Sequence, residues 1–96
     1  MWKLRETAGG HSKQKNLRRV KEALESLPDE IPDCIRYLQV GIDSLDAASN
    51  YDIVLIADFD TFEALDQYLN NPAHLKVADL VMEVREARTA VDFVVD

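Results

Sequence analysis

Apolar residues near the start of the chain form a short strand pattern followed by a helix pattern. In the stretch WKLRE, apolar and charged residues alternate, which predicts a strand, and the stretch TAGGHS after it predicts a loop. Further apolar residues recur at spacings of three and four, which is typical of one helix face: Leu17, Val20, Leu24 and Leu27. Ser12 is suited to cap this helix at its start, and Pro28 ends it.

Two stretches in the middle of the chain predict strands. CIRYLQVGI, residues 34–42, is rich in β-branched and aromatic residues, and YDIVLIADF, residues 51–59, has a strong apolar alternation. In the second stretch, Ile53 and Leu55 fall on one face of the strand, and Ile56 falls on the other. Both faces of this strand are therefore apolar, and both need to be covered.

The remainder of the chain predicts two helices and a last strand. Thr61 is suited to cap the helix FEALDQYLNN, Pro72 ends it, and a second helical run begins at Ala73. The tail TAVDFVVD, residues 89–96, alternates as a strand does. The resulting order, β-α-β-β-α-α-β, predicts an α+β, ferredoxin-like subunit with its helices on one face of an antiparallel sheet.

The other face of this sheet has no helix to cover it. Leaving its large apolar side chains in water would forgo about 1.5–3 kcal/mol for each of them. Packing two such sheets face to face buries these side chains. The sequence therefore predicts a homodimer joined through strands two, three and four.

Length and composition are typical of one soluble domain spanning residues 1–96. The chain is 47% hydrophobic and 30% charged, as in ordinary globular proteins. It contains no apolar run of the ~18 residues that a membrane span requires, and no signal-peptide pattern. Cys34 is the only cysteine, which agrees with a reducing compartment. We therefore expect a cytoplasmic protein with no membrane partner.

The charge is negative overall but uneven along the chain. The net charge is −7, yet the first predicted helix carries a basic stripe: Lys13, Lys15, Arg18, Arg19 and Lys21. Such a stripe either faces water or meets phosphate. No aromatic residues are interleaved with it and no nucleic-acid motif accompanies it, so a solvated helix face is the favoured interpretation. We expect no nucleic-acid partner.

The order of elements and four stretches of sequence resemble the stress-responsive dimeric α/β-barrel (Dabb) domain family. These stretches are IPDCIRYLQVG, YDIVLIADF, NNPAHLKVADLV and AVDFVV, and the most specific part is residues 68–81. The resemblance covers essentially the whole chain. It implies two ferredoxin-like subunits joined through their sheets into a barrel, and for most members of the family no biochemical activity is established.

Two features depart from the family pattern. Family members usually begin a few residues earlier, with a strand that carries a histidine, so we hypothesise that Met1 is an internal methionine. Asn71 stands where many relatives have a histidine in a His-Pro-x-His pattern. His74 is therefore without that neighbour.

The resemblance also suggests a ligand pocket. A plant polyketide cyclase of this family lines its pocket with a tyrosine and a histidine that match Tyr68 and His74, and a further pocket tyrosine corresponds to Leu24. From the start of its helix, the His74 ring can reach outward to solvent or inward past Val77 toward the sheet. The alternative is structural, with His74 capping or packing at the helix start and Tyr68 filling the core.

Other candidate groups predict little chemistry. Asp58 and Asp92 either pair with arginines or face solvent, and His11 belongs to the glycine-rich loop. The stretch AGG is too short for a phosphate loop, and no cysteine or histidine pair has metal-ligand spacing. Cys34 is typical of a small core residue. We expect neither a metal nor a cofactor.

Two functions follow from these observations. The first is a stress-response barrel homodimer whose molecular activity is unassigned and which binds a small apolar or aromatic ligand. The alternative is a cofactor-free enzyme, polyketide-cyclase-like or a lyase or monooxygenase, that uses His74 as acid/base and Tyr68 to orient the substrate.

Overall fold

Strands and helices follow one another in the order predicted from the sequence, with a short hairpin and one extra helical turn added. The structure, a computed structural model, describes residues 1–95. Its strands are Trp2–Leu4 (β1), Thr7–Ala8 (β2), His11–Ser12 (β3), Tyr37–Ile42 (β4), Ile53–Asp58 (β5) and Arg85–Arg88 (β6). Its helices are Lys13–Glu25 (α1), Leu27–Glu30 (α2), Phe62–Asn70 (α3) and Pro72–Val84 (α4).

Four of these strands form one antiparallel sheet in the order β4-β5-β1-β6. β4 and β5 pair along their whole length, from Tyr37 opposite Asp58 to Ile42 opposite Ile53. β1 lies between β5 and β6 and pairs with both of them. This arrangement confirms the predicted ferredoxin-like α+β fold. In the described part of the chain, no helix has the length and apolarity needed to cross a membrane.

The two faces of the sheet differ in burial because successive side chains point to opposite sides. Leu4, Val40 and Ile53 are buried in the core with residues of α1 and α4. On the opposite face, Tyr37 is 48% exposed and Ile56 is 50% exposed. We call this opposite face of β4 and β5 the open face. The sheet is therefore covered by helices on one side only, as predicted.

Ser12 and Thr61 cap the starts of α1 and α3, as predicted from the sequence. The hydroxyl of Ser12 accepts a hydrogen bond from the Lys15 amide at 3.3 Å, and that of Thr61 accepts one from the Ala64 amide at 3.0 Å. Each side chain satisfies an amide that has no partner within its own helix.

Only some of the apolar residues in the last two helices are buried. In α3 the buried residue is Tyr68, whereas Phe62 is 63% exposed. In α4, Val77 and Val81 are buried, whereas Leu75 lies half in water. In both helices the apolar residues cover more of the helix surface than the face that meets the sheet. Their spacing alone therefore did not identify which residues are buried.

The last strand was predicted in the wrong place. It comprises Arg85–Arg88, and residues 89–95 form no strand; Asp96 lies outside the described residues. The amide of Thr89 donates to the Met1 carbonyl at 2.9 Å, which is the end of the ladder with β1. Residues 90–95 have no neighbouring strand to pair with, so their apolar alternation does not produce one. Val91 and Phe93 are exposed.

The predicted basic stripe is also interrupted by internal contacts. Lys13 lies 3.2 Å from Asp52, whose carboxylate is buried and accepts a hydrogen bond from the Leu4 amide at 2.8 Å. The Arg19 guanidinium donates to the side chain of Asn16 at 2.8 Å. Lys13 and Arg19 are therefore not free side chains in water, and the prediction that they are mostly exposed was wrong.

Candidate functional site

A cavity of about 580 Å³ is lined by residues of α1, α3 and α4, of the strands β1, β5 and β6, and of residues 89–93; on β5 it reaches Ile56 of the open face as well as Leu55. Its wall includes six residues from three helices: Leu24, Leu65, Tyr68, His74, Val77 and Val81. The wall is mostly apolar, and Tyr68 and His74 supply polar atoms at one part of it. A volume of this size lies within the range of small-molecule sites, about 300–1,000 Å³.

Tyr68 stands in the cavity wall between two other aromatic rings. Its ring centroid lies 5.0 Å from that of Phe59 and 4.4 Å from that of His74, and both pairs are tilted. The side chain is only 4% exposed. Burial raises the pKa of the Tyr68 hydroxyl to about 12, because the charged phenolate would lose its hydration. At neutral pH this hydroxyl is therefore a hydrogen-bond donor.

His74 is held in place by the turn between α3 and α4. Pro72 cannot continue α3, and the side chain of Asn71 caps α4 by accepting a hydrogen bond from the Ala73 amide at 2.9 Å. His74 then lies in the first turn of α4. Its Nδ1 is 3.1 Å from the carbonyl oxygen of Leu69 in α3. The histidine is thus tied to both helices.

This contact determines the role of the other ring nitrogen. A carbonyl oxygen can only accept, so Nδ1 of His74 carries the proton that it donates to Leu69. In the neutral ring, Nε2 is then the acceptor. Burial lowers the pKa of His74, and the bond to the Leu69 carbonyl partly opposes that shift.

The four residues that the sequence placed in a pocket all border this one cavity. Leu24 reaches it from α1, Tyr68 from α3, and His74 and Val77 from α4. The ring of His74 points toward Tyr68 rather than away into bulk water, since their centroids are 4.4 Å apart. The geometry brings together a protonated phenol and a neutral imidazole at the wall of an apolar space.

The remaining candidate groups lie apart from this pair. His11 is in the β2–β3 hairpin, and Asp58 is exposed at the end of β5. Cys34 is half-buried, with its Sγ 3.5 Å from the side-chain oxygen of Gln67. Asp92 also borders the cavity, but it lies in the segment after β6. Within residues 1–95, no three such side chains form a metal-binding group.

Sequence reasoning missed Arg85 and Arg88, which line the same cavity from β6. The stretch REAR has no apolar alternation, so nothing in the pattern identified it as a strand. The only signal was the pair of basic residues between a helix and an expected strand.

Comparisons with known proteins agree with the fold. The family model described as the stress responsive A/B barrel domain matches residues 1–95. A solved structure from Bacteroides fragilis, described as a dimeric protein of unknown function with a ferredoxin-like fold, is 29% identical with a TM-score of 0.81. That match covers 96% of this chain and 87% of the other.

A second solved structure, from Thermobifida fusca, is described as a dimeric ferredoxin-like protein of unknown function. It is 26% identical with a TM-score of 0.84, and the match covers 99% of this chain and 85% of the other. No curated protein matches this chain.

Proposed function

Because the chain belongs to the stress responsive A/B barrel domain family, we propose that it forms a homodimer and binds a small, mostly apolar ligand beneath α3 and α4. The observation that supports ligand binding is the cavity itself. Its wall combines apolar side chains with the hydroxyl of Tyr68 and the ring of His74, which is the usual composition of a small-molecule site.

The open face of the sheet supports the dimer. Tyr37 and Ile56 each leave about half of their surface in water there, on neighbouring strands. Both similar structures are described as dimeric. Packing the open faces of two copies together removes these side chains from water, at about 25 cal/mol for each Å² buried.

The ligand proposal is tested by thermal unfolding in the presence of a panel of small apolar and aromatic compounds. A compound that binds only the folded protein raises its midpoint temperature. Ala78 lines the cavity, so Ala78→Phe fills part of it, whereas Asp79→Phe changes the exposed neighbour on the same helix. We expect stabilisation that persists in Asp79→Phe and is lost in Ala78→Phe. Equal stabilisation of the two variants by a compound would contradict the proposal. So would a panel in which no compound stabilises the unaltered chain.

The dimer proposal is tested by light scattering on two variants that each place a carboxylate on an exposed apolar position. Ile56→Asp changes the open face, and Phe62→Asp changes the exposed side of α3. We expect a dimer for the unaltered chain and for Phe62→Asp, and a monomer for Ile56→Asp. A mass near 10.9 kDa for the folded, unaltered chain would refute the dimer.

A second candidate function is cofactor-free catalysis with His74 as the base. The observation that favours it is the bond from Nδ1 of His74 to the Leu69 carbonyl, which leaves Nε2 as the acceptor of a ring whose centroid lies 4.4 Å from that of Tyr68. Such a pair suits removal of a proton next to a carbonyl whose oxygen accepts a hydrogen bond from the tyrosine.

Hydrogen–deuterium exchange of an alkyl β-diketone, followed by NMR, tests this chemistry without knowledge of the natural substrate. We expect the protein to accelerate exchange over buffer, His74→Gln to abolish the acceleration, and Tyr68→Phe to reduce it. The variant His11→Gln is the control, because His11 lies in the β2–β3 hairpin. Exchange at the buffer rate would remove the catalytic candidate and leave the ligand proposal standing.

A further inference from the structure

Two arginines of β6, Arg85 and Arg88, face the cavity although they are three residues apart. In a regular strand, residues separated by three positions point to opposite faces of the sheet. Their common direction therefore needs a local cause.

That cause is an irregularity in the pairing of β1 with β6. Arg85 lies opposite Leu4, Ala87 lies opposite Lys3 and Arg88 lies opposite Trp2. Glu86 is thus an extra residue, a β-bulge, and a bulge re-aims the side chains that follow it. Leu4 is buried and Trp2 packs against the core. Both arginines consequently lie on the same side of the sheet as Leu4 and Trp2, and both line the cavity.

In the part of the chain that the structure describes, neither guanidinium has an acidic partner within ion-pair distance. Within residues 1–95, no carboxylate forms an ion pair with Arg85 or Arg88, and this includes Asp92, which borders the same cavity. Acidic residues are not scarce, since the chain has 18 of them against 11 basic residues. Arg85 is half-buried and Arg88 is exposed, and two guanidinium groups without an acidic partner in the described residues suit the binding of an anion at this wall.

We infer that the ligand of this cavity is an amphipathic carboxylate, with its carboxylate on Arg85 and Arg88 and its apolar body along Val77 and Val81. This inference rests on the proposed ligand-binding function. The planar guanidinium fork donates two parallel, charge-assisted hydrogen bonds to a carboxylate. Tyr68 and His74, at the other part of the wall, are then placed to meet a carbonyl or hydroxyl group of the body.

The test compares three ligands with the same alkyl chain, namely decanoate, decanol and decyl phosphate. Their dissociation constants are measured by calorimetry below the micelle concentration. The proteins are the unaltered chain, Arg85→Gln, Arg88→Gln and the control Arg18→Gln, whose residue is exposed on α1. Thermal unfolding monitored by circular dichroism establishes that each variant is folded.

We expect decanoate to bind about tenfold more tightly than decanol, a difference of about 1.4 kcal/mol. Arg85→Gln and Arg88→Gln should each reduce that preference, measured as the ratio of the two dissociation constants, whereas Arg18→Gln should retain it. Equal binding of decanoate and decanol, or a preference that survives both cavity variants, would overturn the inference while leaving apolar ligand binding intact. Tighter binding of decyl phosphate than of decanoate would overturn the choice of a carboxylate. If none of the three binds, the proposed ligand-binding function itself loses its support.

Discussion

The rings of Tyr68 and His74 lie with their centroids 4.4 Å apart, although the two residues belong to different helices. The short turn at Asn71 and Pro72 makes this contact possible, because Asn71 caps α4 immediately after α3 ends. The bond from His74 to the Leu69 carbonyl then fixes the ring against the end of α3. The pair is therefore a consequence of the turn, and its chemistry depends on how firmly that turn is held.

The lowered pKa of His74 makes stability depend on pH. In the folded protein burial holds this pKa below 6.5, the ordinary value of the unfolded chain, so the unfolded state binds the proton first. The stabilising effect is complete above pH 6.5 and is lost as the pH falls through the lower, folded pKa. Urea unfolding at several pH values should show a loss toward acid that His74→Gln diminishes and His11→Gln does not. An unchanged acid dependence in His74→Gln would contradict this account of His74.

Replacing Tyr68 separates the packing of its ring from the chemistry of its hydroxyl. Tyr68→Ala removes a buried ring packed against Phe59, and it should lower the free energy of unfolding by about 3 kcal/mol. Tyr68→Phe keeps the ring and should cost less than about 1 kcal/mol, as a lost neutral hydrogen-bonding group does. Denaturant unfolding measures both values. A cost for Tyr68→Phe as large as that for Tyr68→Ala would show that the hydroxyl is structural.

Asp52 should be one of the most sensitive polar positions. Its buried carboxylate accepts from the Leu4 amide and from Lys13, so Asp52→Ala leaves the Leu4 amide without its acceptor and Lys13 with only the more distant Glu6. We expect a loss of about 2 kcal/mol in the free energy of unfolding. Asp58→Ala is the matched control at an exposed position of the neighbouring strand β5, with an expected change within about 0.5 kcal/mol. Similar values for the two variants would contradict the role given to Asp52.

The basic residues of α1 should not make this protein a DNA-binding protein. Lys13 is engaged by Asp52, and the net charge of −7 opposes the approach of phosphate. We expect no retention on a duplex-DNA column at about 150 mM salt, where non-specific binding is already weakened. Retention that disappears on reversing the charge of Lys15 and Arg18 would contradict this prediction.

Sequence patterns correctly predicted the features that depend only on residues close to one another in the sequence. The spacing of Leu17, Val20 and Leu24 identified the buried face of α1, and the Ser12 and Thr61 hydroxyls identified two helix starts. These features depend on periodicity and on caps that act within three residues.

The features that were not predicted depend on contacts between residues far apart in the sequence. β6 is charged and was missed because its identity as a strand comes from pairing with β1, at the other end of the chain. The apolar alternation after it predicted a strand that has no neighbour to pair with. The burial of Asp52 with Lys13, and the bulge that turns Arg85 and Arg88 toward one cavity, also require the tertiary structure. The resemblance placed Tyr68 and His74 at a pocket, but the distance between their rings comes from the structure alone.

The most direct test of the ligand-binding cavity is an isotope-filtered NMR measurement of contacts between bound decanoate and the aromatic side chains. The cavity wall predicts nuclear Overhauser effects from the decanoate methylene protons to the ring protons of Tyr68 and His74, and their loss in Ala78→Phe. Contacts confined to the exposed ring of Phe62, or contacts to Tyr68 that persist unchanged in Ala78→Phe, would contradict the account.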